Sequence, residues 1–211
     1  MNFHAVEFTE STPPRSGPGR PREEGYNELI LDAVTRLLNE GKPVTIREVI
    51  KATGVSRTAI YRRWKSVNEL IAAALDRGRA NLIYTFHGPI RDALKEIFFY
   101  RVRETVGQTY TNRDFRRHLE LMMSNPQLQK VYWESFASRR IARLQAALQQ
   151  AVRNGEIEAD DATIEAAVDA IYGVQLFQYA VRGIPYDSPE AQRRSERGFD
   201  IIWRGLRKDG A

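Results

Sequence analysis

Apolar residues recur along this chain at spacings of three and four, and the breaks between the runs fall on Gly, Pro, Ser, Asn and Asp. The first run, Tyr26 to Glu40, sets Leu29, Ile30, Ala33, Val34, Leu37 and Leu38 in one wide stripe and ends at Gly41, which predicts an amphipathic helix. A second helix begins at Thr45, with Glu48 three residues on as a capping box and Ile46, Val49 and Ile50 on one face. Gly54 stops it, because glycine takes the left-handed conformation at little cost. Ser56 then caps a short helix in which Ala59, Ile60 and Trp64 face inward while Arg57, Thr58, Tyr61, Arg62 and Arg63 project outward. Ser66 with Glu69 opens another, predicted to run from Asn68 to about Phe86.

The remainder also reads as helix. Pro89 takes a first helical position before Ile90, Leu94, Ile97, Phe98 and Val102, as far as about Thr105. A shorter helix spans Arg113 to Met123, and Asn125-Pro126 opens a long one ending at Asn154-Gly155. Asp160 or Asp161 caps the next, to Arg182-Gly183, and Ser188-Pro189 starts the last, which fades near Lys208. Neither an alternating strand pattern nor an internal repeat is evident. The predicted fold is all-α: a flexible basic arm (1–24), a three-helix, homeodomain-like helix-turn-helix domain (25–70), and a helical domain of about six helices (71–211).

Charge sharpens this picture. From Lys42 to Lys65 there are seven basic residues, Lys42, Arg47, Lys51, Arg57, Arg62, Arg63 and Lys65, against the single acid Glu48. That window carries 7 − 1 = +6, whereas the whole chain carries +5. Two short helices around a tight turn, with the positive charge gathered on them, form the layout in which a second helix enters the DNA major groove. Arg57, Thr58 and Arg62 are the candidates for base edges, arginine to guanine being the favoured pairing. In the arm, Gly19-Arg20-Pro21-Arg22 resembles the core of AT-hook minor-groove binders, so Arg20 and Arg22 are candidates for a narrow A·T groove; the alternative is a tail that only aids solubility.

The run Thr45 to Leu75 resembles the DNA-binding domain of the tetracycline-repressor (TetR) family of transcriptional regulators. The resemblance rests on Gly54-Val55-Ser56, Ile60-Tyr61, Trp64 and Ser66-Val67-Asn68-Glu69. The family usually carries Lys where this chain has Val67, and Lys65 stands two residues before it. The matching positions imply phosphate contacts for Thr45, Arg47, Ser56, Tyr61, Arg63 and Lys65. The resemblance further implies that the last two helices pair with their copies in a symmetric four-helix bundle, using Ile171, Gln175, Tyr179, Phe199, Ile202, Trp203 and Leu206; burial within one subunit is the alternative. Phe98, Phe115, His118, Met122, Trp133, Phe136 and Tyr172 come from helices that surround the effector cavity in that family. An aromatic, Met-rich lining suits a moderately large apolar or aromatic effector, though such residues also build plain cores.

Other features narrow the field. The chain's 211 residues allow about one to two domains burying roughly 70% of the unfolded surface. With no cysteine, disulfides and thiolate metal sites are excluded, which fits a reducing cytoplasm. No apolar run reaches the ~20 residues of a membrane span, and MNFHAVEFTE lacks the basic-then-apolar layout of a signal peptide. His4, His87 and His118 lie on separate segments without metal-ligand spacing, and no phosphate-cradling glycine loop is present. No catalytic residue, metal or cofactor is therefore expected. The predicted function is a homodimeric, ligand-responsive repressor of a double-stranded DNA operator. An activator on the same fold and a sequence-independent architectural binder stand as alternatives, with an all-helical enzyme lacking positive support.

Overall fold

The computed structural model describes residues 5–10, 21–77, 82–101 and 111–207. In chain order its elements are β1 (Val6–Glu10), α1 (Pro21–Asn39), α2 (Ile46–Thr53), α3 (Arg57–Tyr61), α4 (Val67–Asp76), β2 (Leu82–Phe86), α5 (Ile90–Lys95) running into a π-turn (Glu96–Tyr100), α6 (Asn112–Ser124), α7 (Pro126–Tyr132), a second π-turn (Trp133–Ala137), α8 (Ser138–Arg153), α9 (Asp161–Ala180) and α10 (Pro189–Gly205). The chain is mostly helical, as its periodicity predicts. It forms two compact units, one of residues 21–77 and 113–138, the other of 5–10, 82–101, 111–112 and 139–207.

In the first unit, local chemistry sets the helix ends. The hydroxyls of Thr45, Ser56 and Ser66 accept from the amides of Glu48, Ala59 and Glu69 at 3.2, 3.3 and 3.1 Å, capping α2, α3 and α4. Each such cap is worth about 1 kcal/mol. Gly54 adopts φ +70°, and its amide returns to the Ile50 carbonyl, turning the chain between α2 and α3. Ile30, Val34, Val49, Ile60 and Leu70 are fully buried, each contributing about 1.5–3 kcal/mol. This core extends beyond three helices: Met122, Leu128 and Tyr132 belong to it. Polar contacts repeat the connection. Arg113 donates to the Asn39 carbonyl (2.8 Å), Asn125 to Asn68 (3.3 Å), and the Tyr132 hydroxyl to Asp76 (3.2 Å). Helices α1 to α4 thus share a core with residues 113–138 instead of standing alone as 25–70.

The second unit corrects two sequence expectations. Residues 6–10 are a strand, not part of a flexible arm, and α4 ends at Asp76, with 82–86 extended instead of helical. β1 and β2 pair antiparallel, from Val6 opposite Phe86 to Glu10 opposite Leu82. Both segments are rich in β-branched and aromatic residues, and alternation puts Val6, Phe8, Tyr84 and Phe86 on the face toward the core, with Glu7, Ile83 and Thr85 on the other. Pro89 stands at the N-cap of α5, one residue earlier than expected. The first amides of that helix, Ile90 and Arg91, are satisfied from a distance by the Glu156 carboxylate at 2.8 and 3.2 Å. Asp160 and Ser188 cap α9 and α10. These two helices pack closely where Gly198 meets Val174: a Cβ at Gly198 would lie 2.7 Å from Val174 Cγ1.

The stripe read as a subunit face lies inside this unit. Ile171, Tyr179, Phe199, Trp203 and Leu206 are buried, and Ile202 and Gln175 are half-buried, Gln175 donating to the Phe98 carbonyl at 3.5 Å. A helix apolar around most of its circumference needs cover on two sides, and the unit's own core covers this one. The large apolar side chains that α9 and α10 leave exposed are Leu176, Phe177 and Ile201, with Val181 just past the end of α9.

Candidate nucleic-acid interface

The outer surface of α3 is short and polar. Ser56 spends its hydroxyl on the cap, which fixes where α3 starts and aims its first residues outward. Arg57 and Thr58 are exposed at that start, and Arg62 is exposed at the C-cap. The Arg57 guanidinium carbon lies 5.3 Å from the centre of the Tyr61 ring, a cation–π distance that holds the side chain against α3. Tyr61 itself is half-buried and packs on the core, as does Trp64. Arg47 and Lys65 are exposed; Thr45 is exposed with its hydroxyl committed to the α2 cap.

Arg63 departs from the outward projection read from the sequence. It is half-buried, its Nε donating to Asn27 Oδ1 on α1 at 2.5 Å and one terminal nitrogen to the Ala59 carbonyl at 2.8 Å. Asn27 is a positioning residue the sequence reading missed, since no local periodicity links it to a residue 36 positions away. A second omission is Arg77, which bridges α1 from the C-cap of α4 through Glu28 (2.8 Å) and Asp32. Val67 packs on the core, so only Lys65 offers an exposed cation at that helix start, its amide accepted by Glu69 at 2.7 Å. Glu40 bonds Lys42 at 2.8 Å, and that hydrogen bond and charge hold its carboxyl below the usual range. Of the arm candidates, Arg20 lies outside the described residues. Arg22 stands in the first turn of α1, where Pro21 presets the helical φ, not on the extended backbone that an AT-hook requires.

The residues grouped as an effector lining divide between the two units. Phe98, in the first π-turn, meets Tyr172 edge-on at 5.7 Å. In the other unit, Met122 is buried in the shared core, His118 is buried with its ring edge-on to Tyr132 at 4.4 Å, and Phe136 packs beside Tyr132 at 5.7 Å. Phe115 is half-buried, and Trp133 is 51% exposed. An open groove of about 860 Å³ runs past Pro89, Arg91, Glu156, Trp203, Arg204 and Arg207 and touches none of the predicted lining. Among the described residues no His, Asp and Glu group could hold a metal, and no helix is long and apolar enough to cross a membrane.

Residues 30–74 match the profile of the bacterial regulatory proteins, tetR family, and residues 85–196 match the tetracyclin repressor-like C-terminal domain. The chain belongs to the TetR family. An uncharacterized HTH-type transcriptional regulator of Mycobacterium tuberculosis (strain ATCC 25618 / H37Rv) is 34% identical over 185 residues, covering 86% of this TetR-family chain and 87% of its own. A second such regulator, YdeS of Bacillus subtilis (strain 168), is 24% identical over 180 residues, covering 80% and 85%. The solved structure of the flavonoid-responsive regulator FrrA shares the TetR-family fold, with a TM-score of 0.57 at 19% identity over 89% of this chain and 100% of that one. The exposed start of α3 therefore belongs to the DNA-binding helix-turn-helix of a TetR-family transcriptional regulator.

Proposed function

We propose that this TetR-family regulator is a homodimeric repressor that occupies a pseudo-palindromic operator and leaves it when a small, largely apolar or aromatic effector binds. The observation that carries the proposal is the outer face of α3, where Arg57, Thr58 and Arg62 are exposed within the window that bears +6. Arg57, braced against Tyr61, reads a guanine edge, and Thr58 and Arg62 meet neighbouring bases. Thr45, Arg47, Ser56, Tyr61 and Lys65 meet phosphates and fix register; Arg63, steadied by Asn27, presents its remaining donors to the backbone. The exposed Phe177, Val181 and Ile201 form the subunit face, since the inner stripe of the same helices is already covered.

Effector binding is assigned to the aromatic group around Phe98 and Tyr172. The π-turn carrying Phe98 supports this, because such single-turn bulges recur at functional sites. FrrA, of the same fold, is named for a flavonoid response, so a flat aromatic molecule is the first probe to try. A coupling of ~1–3 kcal/mol gives 5- to 150-fold relief. The test is transcription in vitro from genomic fragments captured by the purified protein. Repression predicts less transcript with protein and its return on adding the effector; a rise in transcript with protein would make it an activator.

A further inference from the structure

The N-terminal strand is anchored to both ends of the π-turn. Glu96, its first residue, accepts the Ala5 amide through Oε1 at 2.9 Å. Arg101, which closes the turn by giving its amide to the Glu96 carbonyl at 2.8 Å, sends its guanidinium to the Val6 carbonyl at 3.1 Å. The same guanidinium lies 3.8 Å from the centre of the Phe8 ring and 3.8 Å from Glu96 Oε2. Val6 is fully buried in the unit's core, and the Phe8 ring meets Tyr84 edge-on at 5.8 Å.

A two-stranded ribbon is marginal in water, and a π-turn is a rare departure from the α-helical ladder. We infer that β1 and the π-turn Glu96–Tyr100 form one latch: pairing of the N-terminal strand holds the turn in its π register with Phe98 on Tyr172, and release of the strand lets the turn relax and parts that ring pair. The inference rests on the assignment of the effector to Phe98 and Tyr172, and it makes residues 5–10 the element that sets access to them.

Hydrogen exchange on the full-length protein, compared with a variant lacking residues 2–10 and with Arg101→Gln, tests the latch. Both variants should exchange the amides of residues 96–101 at least ten-fold faster, while those of 144–151 in the core of α8 keep their protection. Unchanged protection of 96–101 in a truncated protein whose 144–151 remains protected would overturn the latch. If truncation loosens 144–151 as well, Arg101→Gln, which leaves Val6 in place, decides by the same criterion. Binding of 1-anilinonaphthalene-8-sulfonate separates the latch from the reading beneath it. At least five-fold tighter binding after truncation, lost again with Phe98→Ala, supports both. Faster exchange without any change in dye binding keeps the latch and removes the effector from this site.

Discussion

Arg57 and Lys65 sit eight positions apart on the same basic surface and should fail in different ways when removed. If Arg57 reads a base edge as proposed, Arg57→Ala should lower discrimination between specific and random duplexes by about 1–3 kcal/mol. Lys65→Ala removes only charge; titrations should show equal weakening on all sequences and a salt slope reduced by about one. Equal losses on both kinds of DNA for Arg57→Ala would refute its role. What was legible at this scale was local: Thr45, Ser56 and Ser66 cap as read, and Gly54 turns the chain, because each acts within four residues of itself. Arg63 was not legible, because Asn27 on α1 draws it back from the surface. Trp203 is a further case, since an apolar stripe says that a side chain is covered but not by what. It is 4% exposed in the unit's own core, so Trp203→Asp buries an unpaired charge and should unfold the helical unit, seen as loss of helical circular dichroism instead of a clean monomer.

At the level of elements, the helices were readable wherever periodicity and caps agreed. The strands were missed because five residues are too short to display a period clearly, although the alternation of Val6 and Phe8 against Glu7 was present. The π-turns left no sequence signal at all, being one-residue changes in hydrogen-bond register. Between α5 and α10 a polar seam joins the elements: Lys95 to Glu196 at 2.7 Å, Tyr100 to Glu196 at 2.5 Å, and Arg91 to Asp200 at 2.7 Å. Burial alone would raise the Glu196 carboxyl, but hydrogen bonds from Lys95 and Tyr100 and the Lys95 charge outweigh it and hold it below 4.5. Its contribution to stability is in place above that unfolded value and is lost as pH falls through the lower folded one. Lys95 works in the opposite sense: burial disfavours its charge, but the Glu196 bond prevails and raises it, so its share is lost only as pH climbs past 10.5. Thermal melts should therefore fall less steeply between ~pH 5 and ~pH 3 for Glu196→Gln than for the wild type. Identical acid limbs would mean the seam adds nothing.

At the scale of the whole molecule, the helix-turn-helix shares its core with residues 113–138. Leu128 and Tyr132 fill the core that Ile30, Val49 and Ile60 began, so a fragment of residues 21–77 should melt with poor cooperativity and expose apolar surface. A cooperative transition in that fragment matching the intact protein's would contradict this. Dimerisation belongs to the same scale: Ile201→Asp, on the exposed face of α10, should give folded monomers in light scattering and lose operator affinity together with subunit pairing. The central claim is that the exposed start of α3 reads DNA. Selection of bound duplexes from a random pool at physiological salt tests it most directly. The wild type should enrich a pseudo-palindrome with half-sites one or more helical turns, ~34–36 Å, apart, and Arg57→Ala should lose the preference at one base of each half. No enrichment over competitor DNA, or the same enriched sequence with Arg57→Ala, would contradict it.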